Sequence, residues 1–209
     1  MTAHGPIRVL VVDDHHLIRE GIAALVASQG DIEIVGEAAD GNQAVAQFEA
    51  LRPDVMLLDL QMPGMGGLEA LADIKSRHPQ ARIVILTTYD GDHLASRALA
   101  AGAQAYILKS SVRRELLDTI RAVFRGQKHV QADVAAKLSD HAGEDVLTTR
   151  ELAVLSLIAE GNTNKAIGER LSITEETVKG YVKSILAKLH AKDRTHAVTL
   201  GIKRGIIEL

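Results

Sequence analysis

Five short apolar runs recur at nearly even spacing along the first part of the chain: Val9–Val12, Ile32–Val35, Val55–Leu58, Ile83–Leu86 and Tyr106–Leu108. Each is rich in Val, Ile or Leu and too short for a helix, which suits strands buried on both faces of a parallel sheet. Between them, apolar residues fall at helical spacing. Leu17, Ile18, Gly21, Ile22 and Leu25 form one stripe, and Ala44, Val45, Phe48 and Leu51 a second. Leu68, Leu71 and Ile74 follow, then Leu94, Ala98 and Ala101, then Leu116, Leu117, Ile120 and Val123. A βα unit repeated five times predicts a doubly wound α/β domain with right-handed crossovers and strand order 2-1-3-4-5. The second run leads into Ala38-Ala39-Asp40 and reads as an edge strand. Gly102 is placed to end the helix before the last strand.

Open sheets of this kind bind ligands beyond the carboxyl ends of their strands. The residues that follow each run are therefore the candidates. Asp13 and Asp14 follow the first, Asp59 the third, Thr87 the fourth and Lys109 the fifth. Three gathered carboxylates repel one another and suit a hard divalent cation such as Mg²⁺. Asp59, alone at the end of the central strand, is a candidate nucleophile forming an aspartyl phosphate. Lys109 offers a point charge, and Thr87 a hydroxyl, to phosphoryl oxygens. Any one of these residues alone is ordinarily a turn, cap or surface residue. Their convergence on one crevice is what points to phosphoryl chemistry.

These residues carry a resemblance. Val11-Val12-Asp13-Asp14-His15, Leu57-Leu58-Asp59-Leu60-Gln61-Met62-Pro63-Gly64, Ile85-Leu86-Thr87 and Gly102-Ala103-Gln104-Ala105-Tyr106-Ile107-Leu108-Lys109 resemble the receiver domain of bacterial two-component response regulators. The resemblance implies that Asp59 accepts a phosphoryl group from a phosphohistidine on a sensor histidine kinase. It implies that Asp14, Asp59 and the Gln61 carbonyl ligate Mg²⁺, with Asp13 acting largely through water. It also implies that Thr87 and Tyr106 form a switch pair biasing a bistable element. Gly66 stands where the family often has Asp or Asn, and Ser110 where it often has Pro.

From Leu147 the pattern changes to helices without strands. Thr148-Thr149-Arg150-Glu151 is a capping box, and Leu152, Leu155, Ile158 and Ala159 share a face. Thr163 can cap a second helix containing Ile167 and Leu171. After a turn at Ser172-Ile173, Thr174 can cap a third, with Glu175 and Glu176 in its first turn and Val178, Val182, Ile185, Leu186 and Leu189 inward. Asp193 can cap a fourth. Two short helices, a tight turn and a third helix predict a helix-turn-helix. Lys179 and Lys183 lie outward on the third helix about one turn apart.

This half resembles the LuxR/NarL-type DNA-binding domain through Leu147-Thr148-Thr149-Arg150-Glu151, Ile158-Ala159-Glu160-Gly161, Asn164-Lys165-Ala166-Ile167, Thr177-Val178-Lys179 and Asp193-Arg194-Thr195-His196-Ala197. The resemblance implies that the third helix enters the major groove of double-stranded DNA, with Lys179, Gly180 and Lys183 nearest the bases and Thr177 beside them. It implies phosphate contacts from Asn164 and Lys165 and a dimer contact on the fourth helix. Tyr181 stands where His is common, and Gly168 where Ala is common. Gly inside a helix costs about 1 kcal/mol relative to Ala.

Composition sets the outer limits. The chain has 209 residues and no cysteine, which excludes disulfides, Cys-ligated metals and a Cys nucleophile. Its two Phe and three Tyr, with no Trp, are too few for a base-stacking platform. The net charge of −3 divides unevenly. Residues 1–125, the expected receiver, hold 12 basic and 16 acidic residues, and residues 126–146, the expected linker, hold 2 and 4. Residues 147–209 hold 10 and 7, a basic balance suited to DNA. The strongest apolar runs, such as Val9–Val12 and Ile83–Leu86, are four residues long against the ~20 of a membrane span, and the start lacks a secretory pattern. A cytoplasmic, two-domain regulator that homodimerises on activation is expected, not an enzyme beyond slow loss of its own phosphoryl group. Two rivals are a regulator with a vestigial acidic pocket and an aspartate-dependent phosphohydrolase. The second is disfavoured because Gln61, not Asp, stands two residues after Asp59.

Overall fold

The runs of branched apolar residues become one parallel sheet in the computed structural model, which describes residues 5–88, 92–130 and 147–207. The strands are β1 (Ile7–Val12), β2 (Ile32–Ala38), β3 (Val55–Asp59), β4 (Ile83–Thr87), β5 (Ala105–Leu108) and β6 (His129–Val130). They pair in parallel in the order β2-β1-β3-β4-β5-β6. Helices α1 (His16–Ala27), α2 (Gly41–Leu51), α3 (Gly67–Arg77), α4 (Asp92–Ala100) and α5 (Val112–Phe124) complete the expected (βα) repeat.

Strand parity sorts the core. Val9, Val11, Val55, Leu57, Val84, Leu86, Ala105 and Ile107 pack with Ile22 and Val26 of α1 and with Leu116, Ile120 and Val123 of α5. Residues of the other parity, including Leu10, Met56, Leu58, Ile85 and Tyr106, are equally buried. Side chains alternate with a period of two. Asp13, Asp59 and Lys109 therefore continue the parity that faces α1 and α5, while Thr87 and Tyr106 belong to the other.

Two expectations are corrected. Leu17 belongs by spacing to the apolar stripe of α1, yet it is 79% exposed. Ile18, Ile22 and Val26 take the sheet-facing arc instead, and Leu17 and Gly21 lie one step round from it. The sheet also runs past residue 125 into the expected linker. His129 and Val130 pair with Ala105 and Tyr106, and His129 N–H donates to the Gln104 carbonyl at 2.9 Å. β6 thus covers the open edge of β5. Its two residues are too few to leave a periodic signal. Residues 131–146 of the expected linker lie outside the described residues.

The second unit has four described helices: α6 (Thr149–Ala159), α7 (Asn164–Leu171), α8 (Glu175–Lys188) and α9 (Arg194–Lys203). Every expected cap is made. Thr148 and Glu151 form the reciprocal capping box, and Thr163, Thr174 and Asp193 accept from Ala166, Thr177 and His196 N–H. Leu147, Val154, Leu155, Ile158, Ile167, Val178, Ile185, Leu189 and Ala197 form its core. No described helix is long and apolar enough to cross a membrane.

Gly168 has a packing reason that its helix propensity does not show. A Cβ there would lie 2.7 Å from the Ile173 carbonyl oxygen, and Ile173 N–H donates to the Gly168 carbonyl at 2.9 Å. The tight α7–α8 turn needs that close approach. Gly168 is a requirement of the turn and not a helix defect.

Candidate functional site

β1 and β3 are neighbours and β5 lies one strand further, beyond β4; Asp13, Asp59 and Lys109, at or just past the ends of these strands, meet at the carboxyl edge of the sheet. Lys109 Nζ lies 2.7 Å from Asp13 Oδ2 and 2.7 Å from Asp59 Oδ2. Asp13 and Asp59 are buried, and the Lys109 side chain is only 7% exposed. Asp59 Oδ1 accepts Gln61 N–H at 3.2 Å. The loop after β1 is pinned from beneath: Arg19 Nη1 donates to the Asp13 carbonyl at 2.7 Å, and Arg19 Nε to Glu37 Oε2 at 2.9 Å. Asp13 is not an N-terminal cap of α1; the capping position is His15, whose side chain makes no capping bond.

Burial pushes the Asp59 carboxyl above its ordinary range, and the charge of Asp13 adds to this, against the opposing pull of Lys109. Burial would lower Lys109, but hydrogen bonds to Asp13 and Asp59 hold it above its ordinary value. Three carboxylates against one ammonium leave an excess of negative charge. A carboxylate oxygen from each of Asp13, Asp14 and Asp59, together with a ring nitrogen of His15, all lie within 4.8 Å of one another. Oxygen donors at that spacing with excess negative charge fit a divalent cation.

His15 is the residue that the sequence reading did not place here. Its Nδ1 lies 2.7 Å from Asp14 Oδ1 and 3.3 Å from Asp13 Oδ1. The only signal in the sequence was adjacency to the acidic pair. Gly67 is a second omission. Its N–H donates to the Leu60 carbonyl at 3.0 Å, and a Cβ there would overlap the Asp59 carbonyl oxygen. Gly66, the position noted as a departure, has only an ordinary contact at 3.7 Å and no such constraint.

Thr87 and Tyr106 are both buried. β4 and β5 pair Ile85 with Tyr106 and Thr87 with Leu108. The two switch candidates therefore share one face of the sheet, a residue pair apart, on the parity opposite to Asp59 and Lys109.

In the second unit the candidates fall on the outer side of the helix-turn-helix. Lys179, Gly180 and Lys183 are exposed on α8, while Val178 and Ile185 are buried beneath them. Lys179 Nζ pairs with Glu176 Oε2 at 3.2 Å and Glu175 Oε1 at 3.6 Å, and its hydrogen bond to Glu176 raises its pKa. Thr177 is held by the Thr174 cap through both its N–H and its hydroxyl. Lys165 is exposed at the start of α7. Asn164 Oδ1 is buried with no hydrogen-bond partner among the described residues.

Glu151 anchors α8 from behind. It is buried and accepts from Ser184 Oγ at 2.6 Å, Lys188 Nζ at 2.9 Å and Thr148 N–H at 2.6 Å. Burial works against its charge, but these hydrogen bonds hold its pKa down to about 2. The sequence identified Glu151 only as a cap; its tie to α8 spans more than thirty residues.

Residues 9–121 match the model of the response regulator receiver domain, and residues 145–200 that of bacterial regulatory proteins, luxR family. The chain is 43% identical over 209 residues to the transcriptional regulatory protein LiaR of Bacillus subtilis, covering 96% of this chain and 99% of LiaR. It is 39% identical over 207 residues to the response regulator protein VraR of Staphylococcus aureus, covering 97% and 99%. Among solved structures, it is similar to response regulator ChrA of a heme-sensing two-component system (TM-score 0.58, 32% identity, 98% of this chain and 100% of ChrA). It is also similar to RcsB of Salmonella enterica serovar Typhimurium bound to promoter P1flhDC with phosphomimetic BeF3⁻ (TM-score 0.74, 26% identity, 94% and 98%). The chain belongs to the NarL/FixJ-type response regulators of two-component systems, with a receiver domain followed by a LuxR-type DNA-binding domain.

Proposed function

We propose that phosphorylation of Asp59 controls promoter binding by this regulator. The observation that carries the reading is the Asp59 carboxylate at the end of β3, with Lys109 Nζ at 2.7 Å and Gln61 N–H at 3.2 Å. A carboxylate oxygen of Asp59 attacks the phosphorus of a kinase phosphohistidine. The P–O bond forms as the P–N bond breaks, and the leaving imidazole keeps the electron pair. Lys109 and the Thr87 hydroxyl meet the charge on the phosphoryl oxygens. Asp14, Asp59 and the Gln61 carbonyl would hold Mg²⁺, with Asp13 through water; the ion supplies charge neutralisation for the transferring group. Thr87 and Tyr106, on one face of β4 and β5, relay the new charge to the α4–β5–α5 surface.

In the second domain α8 reads the major groove, with Lys179, Gly180, Lys183 and Thr177 toward the bases and Asn164 and Lys165 toward the phosphates. Dimers formed on activation bind two half-sites, with α9 supplying a contact between copies. The protein works in the cytoplasm and catalyses no turnover beyond slow loss of its own phosphoryl group. The similarity to RcsB, whose structure is bound to a promoter in the presence of a phosphomimetic, supports this reading.

Incubated with a small acyl phosphate and Mg²⁺, wild type should gain one phosphoryl group by mass, and Asp59→Asn none. Equal labelling of the two proteins would refute the assigned nucleophile. Absence of labelling in both would favour a regulator with a vestigial pocket. Replacing Lys179 and Lys183 with Gln should weaken DNA binding and flatten its salt dependence.

A further inference from the structure

β2 sends no polar side chain from its carboxyl end into the acidic pocket: it ends at Ala38, Ala39 follows, and Asp40 caps α2. One arginine joins it to the pocket all the same. Arg19 of α1 donates from Nε to Glu37 Oε2 of β2 at 2.9 Å and from Nη1 to the Asp13 carbonyl at 2.7 Å. Its side chain is 13% exposed, the least of the ion-paired arginines among the described residues. A tether between α1 and β2 needs only the bond to the carboxylate. The second bond, to a backbone carbonyl, calls for its own reason, because it uses the fixed planar fork that distinguishes a guanidinium from an ammonium.

Asp13 is held at its N–H, its carboxylate and its carbonyl. The N–H donates to the Ala38 carbonyl at 3.1 Å. The carboxylate accepts the His15 N–H at 2.9 Å and pairs with Lys109 Nζ at 2.7 Å. Arg19 supplies the tie on the carbonyl. Asp14 is different: its carboxylate meets the exposed ring of His15 at 2.7 Å, and an exposed ring fixes it little. The Asp13 carbonyl and the Asp14 N–H and Cα lie in one peptide plane. Fixing the carbonyl therefore fixes the plane from which the Asp14 side chain departs. Glu37 balances the guanidinium charge, so the fork orients that plane without adding net positive charge beside the carboxylates.

Resting on the reading of Asp14 and Asp59 as holders of Mg²⁺, we infer that Arg19 is a positioning residue for that site, and that Glu37 brings β2 into it as the partner of Arg19. Arg19 touches neither the ion nor the phosphoryl group. It sets the approach of Asp14 to Asp59 in advance, so that cation binding need not order the loop. Groups that orient metal ligands from outside alter affinity by about 10–100-fold when removed. The defect expected without Arg19 is in the amount of Mg²⁺ required, not in transfer at saturation.

The test uses the full-length chain, with Mg²⁺ as the varied ligand and a small acyl phosphate as phosphodonor. Two quantities are read: the Mg²⁺ concentration that gives a fixed rise in melting temperature over the metal-free protein, and the concentration that gives half of the maximal labelling rate. Arg19→Met should raise both about tenfold, with the rate at saturating Mg²⁺ within about twofold of wild type. Arg19→Lys, which keeps the charge but not the fork, should behave like Arg19→Met. Glu37→Gln, a change on an exposed edge strand, should shift both several-fold in the same direction, because it leaves the guanidinium charge unbalanced. If the Arg19 variants do not fold, Glu37→Gln decides. The proposal is overturned if the folded variants need no more Mg²⁺ than wild type, or if saturating Mg²⁺ fails to restore their labelling. The melting response requires no phosphoryl transfer. Wild type that responds to Mg²⁺ without labelling would overturn the phosphoacceptor reading, while a raised Mg²⁺ requirement in the variants' melts would still uphold Arg19.

Discussion

Lys109 donates a hydrogen bond from Nζ to Asp59 Oδ2 at 2.7 Å, joining the ends of β5 and β3 inside a pocket that also holds the buried Asp13. Even with this partner, burial keeps the Asp59 pKa above its ordinary range. The folded protein therefore holds that proton more tightly than the unfolded chain does. Asp59 costs stability when charged, and the cost disappears as pH falls through its folded pKa. Asp59→Asn should raise the stability of the receiver at pH 7 by about 1 kcal/mol, or about 3 °C. The gain should shrink toward pH 4. Thermal melts of the full chain at the two pH values check this, and a lower melting temperature at pH 7 would contradict it.

Addition of Mg²⁺ should raise the melting temperature of the receiver, because an ion bound only by the folded state stabilises it by mass action. Asp14→Asn should abolish most of that increment while leaving the metal-free melt nearly unchanged. The Asp14 side chain is 29% exposed and its ion-pair contact is with His15, so the unliganded fold depends on it little.

Glu151 makes the opposite pH prediction. Its pKa is held at about 2, below the ordinary 4.5. Its stabilising effect is full above pH 4.5 and is lost as pH falls toward 2. Glu151→Gln should cost the DNA-binding domain about 3 kcal/mol at pH 7, since Lys188 loses its buried partner. It should also flatten the acid-unfolding curve in that window. Helical circular dichroism followed through an acid titration reads both effects.

Gly168→Ala should lower the melting temperature of the second domain, although helix propensity alone favours Ala. The clash with the Ile173 carbonyl should cost roughly 1–3 kcal/mol, outweighing the propensity gain. Gly67→Ala should slow acyl-phosphate labelling of Asp59, because the added methyl must displace the Asp59 backbone.

Lys179 is paired with Glu176 at 3.2 Å. In the proposed mode of DNA binding a phosphate or base takes Glu176's place, and the freed carboxylate then faces a polyanion. Glu176→Gln should tighten binding several-fold at low salt, with the difference narrowing as salt screens the charges. Titrations at two ionic strengths measure it.

The sequence by itself determined β1 to β5, the helix caps of the second unit and the residues at the ends of those strands. Alternation, helical spacing and capping depend on neighbours within about four positions, and the parity that sends Asp13, Asp59 and Lys109 to one side is local too. What only the tertiary structure decided lies where distant segments touch. Leu17 faces outward because the helix chose a different sheet-facing arc. β6 is a strand only because β5 offers it an edge. Gly67 and Gly168 are required because other backbone passes where a Cβ would be. His15 joins the acidic cluster, and Glu151 reaches Ser184 and Lys188, through approaches that no short-range pattern records.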